Sequence, residues 1–162
     1  MMYGLIDQKI HEYYTYMSMV FSALGNVQKD YNWLISDCVC YPKSTEINDM
    51  LNQEYCWMSG DELTRLIEGE DFQWIWGCLC GFEKEIPLDD ILLHPIPLAD
   101  GYDDYYHNPV VLQHPLSSIE IVPSDSSWLL LISKDKSIIT RYLESFPNAE
   151  DLFEHNKQHS II

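Results

Sequence analysis

The chain has 162 residues, 46 % of them hydrophobic, and carries 26 acidic side chains against 9 lysines and arginines, for a net charge of −17. That length and apolar content suit one compact domain and exclude wholesale disorder. The charge weighs against DNA, RNA and anionic lipid as partners, since each is held by a positive footprint, and no run of 18 apolar residues offers a membrane span.

In chain order, "YGLIDQKI" (3–10) reads as a first strand. Ile10, Tyr13, Met17, Val20, Phe21 and Leu24 then recur at helical spacing, and Gly25-Asn26 supplies a stop, which predicts a helix over roughly 11–24. "YNWLISDCVCY" (31–41) reads as a strand and "EYCWM" (54–58) as a short one. "SGDELTRLIEGE" offers Ser59 or Asp61 as a helix cap, Leu63, Leu66 and Ile67 as an apolar stripe, and Gly69 as an end.

"FQWIWGCLCGF" (72–82) is apolar on both alternations, as expected of a central strand covered on two sides. Strict alternation puts Phe72, Trp74, Trp76, Cys78, Cys80 and Phe82 on one face, and Ile75, Leu79, Gly77 and Gly81 on the other. The glycines mark places where a neighbour packs closely. "IPLDDILL" (86–93) allows one helical turn. Four prolines, Pro95, Pro97, Pro109 and Pro115, predict a long ordered loop over 94–116. Ser118–Val122 and Trp128–Ser133 form a hairpin pattern around Pro123–Ser126. Ile138, Ile139, Tyr142, Leu143 and Phe146 make a last long helical stripe, a further turn is expected over 148–156, and the tail from Lys157 reads as frayed. The mixed order of elements predicts a single α+β domain, mainly an antiparallel sheet with helices packed on it.

The N-terminus lacks a basic region followed by an apolar one, and five cysteines are an odd number. Both point to a reducing, cytoplasmic setting without a disulfide framework. Cys38/Cys40 and Cys78/Cys80 form two C-x-C pairs, which would bring four thiols together if their strands paired on a common face. Zinc ribbons, however, use C-x-x-C on tight turns, so buried cysteine acting as a small hydrophobe is the favoured reading. No cofactor motif of the P-loop, G-x-G-x-x-G or G-x-S-x-G type is present.

The densest chemistry is "DGYDDYYH" (100–107). Counted from Asp100 or Asp103, it lacks the glycine and the terminal acid that a calcium loop needs. Asp103, His107 and His114 are the right ligand types for a small metal-dependent hydrolase, but their spacing fits no helical ligand pair. Acidic residues crowd this neighbourhood. Residues 46–104 hold 15 of the 26 acids and only two bases, Arg65 and Lys84, and so carry −13 of the −17. Tyrosine beside charge suits a protein contact surface. The candidate contact residues are therefore Glu83, Glu85, Asp89, Asp90, Asp100, Tyr102, Asp103, Asp104, Tyr105, Tyr106 and His107, with no catalytic or metal residue assigned.

Three segments, "YNWLI" (31–35), "FQWIWGCLCGF" (72–82) and "SSWLLLISKDKSII" (126–139), together resemble small acidic bacterial immunity proteins of interbacterial toxin systems, including contact-dependent inhibition. The resemblance covers about half the chain and lies in strand organisation rather than in a diagnostic motif, so no functional residue carries over. It implies a non-enzymatic cytoplasmic protein that binds and neutralises a cognate toxin, a basic nuclease being the partner the charge would suit. A structural role in another complex is the remaining expectation.

Overall fold

The computed structural model describes residues 1–8 and 15–159. Among these, the chain forms an α+β domain built on one antiparallel sheet. Its strands are β1 (Tyr3–Asp7), β2 (Thr15–Tyr16), β3 (Asn32–Cys40), β4 (Tyr55–Ser59), β5 (Gln73–Phe82), β6 (Ile119–Ser124), β7 (Trp128–Ser133) and β8 (Glu150–Asp151). The order across the sheet is β4-β3-β5-β6-β7-β1-β8, with β2 pairing separately with β5. The helices are α1 (Met17–Ala23), α2 (Thr45–Leu51), α3 (Gly60–Gly69), α4 (Leu88–Ile91), α5 (Lys136–Ser145) and α6 (Leu152–His159).

Period-two alternation divides the sheet into two apolar faces. Leu5, Trp33, Ile35, Leu79, Ile119, Ile121, Leu129 and Leu131 face one core, which α1, α3 and α5 close with Met17, Val20, Phe21, Leu63, Ile67, Ile138 and Tyr142. Ile6, Leu34, Cys78, Cys80, Phe82, Val122, Leu130 and Ile132 face the other. Among the described residues, no long helix lies over this second core. It is covered mainly by Ile91, Ala99, Tyr105 and Leu112, from the connection between β5 and β6, together with Leu152 of α6. Full burial of a side chain such as Ile91 or Leu112 contributes roughly 1.5–3 kcal/mol, so the connection is part of the core and not an appendage.

The expected elements over 3–10, 31–41, 54–58, 72–82, the hairpin and the last stripe all have counterparts. Ser59 is the cap of α3, its hydroxyl accepting from the Glu62 amide at 3.1 Å. The hairpin turns through Asp125 and Ser126, both at positive φ, as a tight right-twisted hairpin requires. Residues 152–159 form a full helix where a single turn was expected. The helix expected from residue 11 begins at Met17, after a two-residue strand; Ile10 and Tyr13 lie outside the described residues.

One helix has no counterpart in the sequence reading, and one local expectation is corrected. Residues 45–51 form α2, capped by Ser44, whose hydroxyl accepts from the Ile47 amide at 3.2 Å. The single-face reading of 72–82 fails. Phe72 and Trp74 pack in the helix-side core, whereas Cys78, Cys80 and Phe82 pack in the other. The cause lies in the β3–β5 register: Val39 pairs with Trp76 but Cys40 with Trp74, so β5 carries one extra residue between Trp74 and Trp76. An extra residue in a strand reverses the face of everything beyond it. The close packing expected at the glycines is present: a Cβ on Gly81 would stand 2.6 Å from the Ile119 side chain.

Candidate interaction surface

The connection from Glu83 to Ser118 crosses the second face of the sheet as a strap. Its start is local. After β5 the chain turns through Glu83–Ile86, Pro87 leads into α4, and Asp89 and Asp90 occupy that short helix's first turn. Ile91, on the opposite side, is buried.

The rest of the strap is held by side chains of the sheet. Ser36 donates its hydroxyl proton to the Pro97 carbonyl at 2.7 Å. Asp37, at the β3 bulge, accepts the amides of Ala99 and Asp100 on Oδ2 at 2.8 and 2.9 Å. Its φ of +52° belongs to the left-handed region that Asp tolerates better than most side chains, and it lets the carboxylate serve the strap. Within the strap, the Gln113 side chain bonds both the N–H and the C=O of Leu98 at 2.8 Å.

Glu120 is the hub. It sits on β6 with no exposed surface, on the same face as Val122. Oε1 accepts from the Tyr105 hydroxyl and the Gln113 amide, both at 2.7 Å. Oε2 accepts from the His114 amide at 2.9 Å and the Ser117 hydroxyl at 2.6 Å. Four donors on a carboxylate compensate its removal from water, and charge-assisted bonds are stronger than neutral ones. Glu120 thus pins two separate parts of the strap to the centre of the sheet.

The burial of Tyr105 corrects its expected place on a contact surface. It lies in a 3-10 turn over Asp103–Tyr106, points inward to Glu120, and has its carbonyl capped by the Asn156 side chain at 3.1 Å. Burial, and then the neighbouring Cys78 and Glu120, hold its phenol well above the ordinary pKa, so it remains a proton donor. Tyr106 is half-buried and accepts from the Trp128 indole N–H at 3.0 Å; Tyr102 is half-buried edge-on to Tyr105. Glu83, Glu85, Asp89, Asp90, Asp100, Asp103, Asp104 and His107 are exposed. The exposed part of the expected surface is therefore its carboxylates and His107, while the tyrosines serve as footings.

Asp103, His107 and His114 do not form a ligand set. His114 is buried, with Nε2 on the Ile91 carbonyl at 2.9 Å and Nδ1 accepting from the Leu116 amide at 3.1 Å. Both nitrogens are occupied and the pattern fixes the neutral Nε2–H tautomer. Among the described residues, no group of three or more His, Cys, Asp or Glu side chains is placed to hold a metal ion.

The two C-x-C pairs also stay apart. Cys78 and Cys80 belong to the strap-side core, with sulfurs 3.7 Å apart, whereas Cys38 and Cys40 pack against the helix-side core. Burial, then Cys38, pushes the Cys56 thiol up to about 12, and Cys38 and Cys80 are also raised. Protonated thiols are poor nucleophiles and poor metal ligands.

Sequence reasoning missed Glu120, Asp37 and Gln113 as the residues that build this surface. The available signal was "SIEIV", where one carboxylate interrupts an otherwise apolar strand. Among the described residues, no helix is long and apolar enough to cross a membrane. Comparison with known proteins finds no family model, no curated protein and no solved structure that matches this chain.

Proposed function

We propose that this chain is a binding protein that docks a basic protein domain through the acidic strap, in the manner of the immunity proteins its sequence resembles. The partner is then a toxin domain, and a nuclease fits best, because a groove built for phosphates is itself basic. One observation carries the reading. Glu83, Glu85, Asp89, Asp90, Asp100, Asp103 and Asp104 are all exposed on one segment whose only lysine or arginine up to residue 107 is Lys84, and that segment is tied to the sheet by buried hydrogen bonds. A fixed array of like charge steers an oppositely charged partner and loses little freedom on binding.

The test co-expresses the chain with the protein encoded immediately upstream of it, scores host survival, and follows association across a salt series. Protection and a fast, salt-sensitive association are expected. Reversing Asp100, Asp103 and Asp104 together to lysine should slow association about tenfold or more and flatten its salt dependence. Absence of a complex, or wild-type kinetics in the triple variant, would overturn the proposal.

A further inference from the structure

We propose that the cleft between the α2–β4 turn and the strap is a socket for one arginine side chain of the basic partner. The inference rests on the docking reading above and names what the partner inserts. The cleft has a volume of about 550 Å³ and is lined by Asp37, Cys38, Leu51, the turn 52–54 and residues 96–98. Its composition suits a long cationic side chain. Leu51, Ile96 and Leu98 offer an apolar wall for the methylene stem, and Leu98 stands 46 % exposed. Asp37 and Glu54 supply the charge, and among the described residues no lysine, arginine or histidine lines the space.

Asp37 gives the socket its geometry. Its Oδ2 is committed to the Ala99 and Asp100 amides, which fix the carboxylate's orientation, and among the described residues Oδ1 takes no hydrogen bond. An oriented carboxylate oxygen with a second, exposed carboxylate at the same cleft matches the planar, multi-donor guanidinium better than the compact, strongly hydrated ammonium of lysine. The cleft also shares the Asp37 tie with the strap, so a side chain seated in it adjoins the acidic surface.

The experiment uses the full chain and small probes. Amide spectra are recorded while acetyl-Gly-Arg-Gly-amide is added, with the citrulline peptide as a neutral isostere, the lysine peptide as a second cation and calcium chloride as a bare cation. Saturable shifts at Asp37, Leu51, Glu54 and Leu98 are expected for the arginine peptide. Citrulline should bind at least fivefold more weakly, and Glu54→Gln, an exposed substitution, should weaken the arginine peptide about as much. Equal binding of citrulline or lysine would overturn the assignment, as would calcium producing the same shifts at lower concentration or no shifts at all. Shifts confined to Asp89, Asp90, Asp103 and Asp104 would overturn the socket while leaving acidic docking intact. Conversely, arginine bound in the cleft of a chain that forms no complex with the upstream-encoded protein would keep the socket and remove the proposed partner.

Discussion

The Tyr105 hydroxyl donates to Glu120 Oε1 at 2.7 Å, joining the middle of the acidic strap to the central strand of the sheet. Both side chains are buried, so the bond is shielded from water. Tyr105→Phe removes it and leaves Glu120 three donors. A hydrogen bond to a charged group contributes about 1.5–3 kcal/mol, and a loss of that size is expected in urea unfolding. Unchanged stability would show that the bond does not hold the strap.

Glu120→Gln should cost more, about 3 kcal/mol. Its amide turns an –NH₂ toward amide and hydroxyl donors that need an acceptor. Amide hydrogen exchange supplies the specific readout. Protection should fall at Gln113 and His114 before it falls in β3 or β5.

Asp37→Asn and Asp37→Ala separate two roles of one residue. Asparagine keeps an acceptor for Ala99 and Asp100 and tolerates the left-handed backbone. Alanine does neither and should lose about 1–3 kcal/mol. Limited proteolysis should cut the alanine variant near 98–102 and spare the asparagine variant.

Stability should fall on mild acidification because of His114. Burial holds this imidazole below the usual histidine pKa, against the opposing pull of the Ile91 carbonyl; His94 also disfavours its charge and Glu120 favours it. The unfolded chain therefore takes up the proton first, near pH 6.5. The stability due to the neutral ring is complete above that pH and is lost as pH falls through 6.5 toward the folded value, by at most about 1.4 kcal/mol per pH unit. Urea midpoints of wild type and His114→Gln should converge between pH 7.5 and 5.5; parallel curves would refute the assignment.

Gly60→Ala should be among the most damaging substitutions in the helical layer. A Cβ there would stand 2.1 Å from the Gln28 carbonyl oxygen and 2.7 Å from Lys29 Cα, both backbone atoms. Overpacking of this kind costs about 3 kcal/mol or more. A thermal midpoint near wild type would mean that α3 can shift away from residues 28–31.

The architecture was legible where apolar residues repeat over a long stretch, as in β3, β5, β7 and α5. It was illegible where the signal is short or symmetrical. Ile47, Met50 and Leu51 carry helical spacing behind the Ser44 cap, but over only seven residues. The slip in β5 leaves no trace in composition, because both faces of that strand are apolar and either parity looks buried. The acidic array was legible from composition, since exposed carboxylates need no specific neighbour. Tyr105 was not, because a tyrosine among aspartates can turn inward only if an acceptor waits beneath it, and that acceptor lies 15 positions away on another element.

The strap's ties have a consequence for when the acidic surface exists. Pro97 is held from 61 positions away, Ala99 from 62 and the Tyr105 carbonyl from 51. Contacts this distant close long loops, so they form later than the local turns and helices. Until then the strap's carboxylates repel one another with little to oppose them. On the ribosome, a chain whose Asn156 has not yet emerged lacks one of the clamps on Tyr105, so the finished acidic face belongs only to molecules whose synthesis has passed α6.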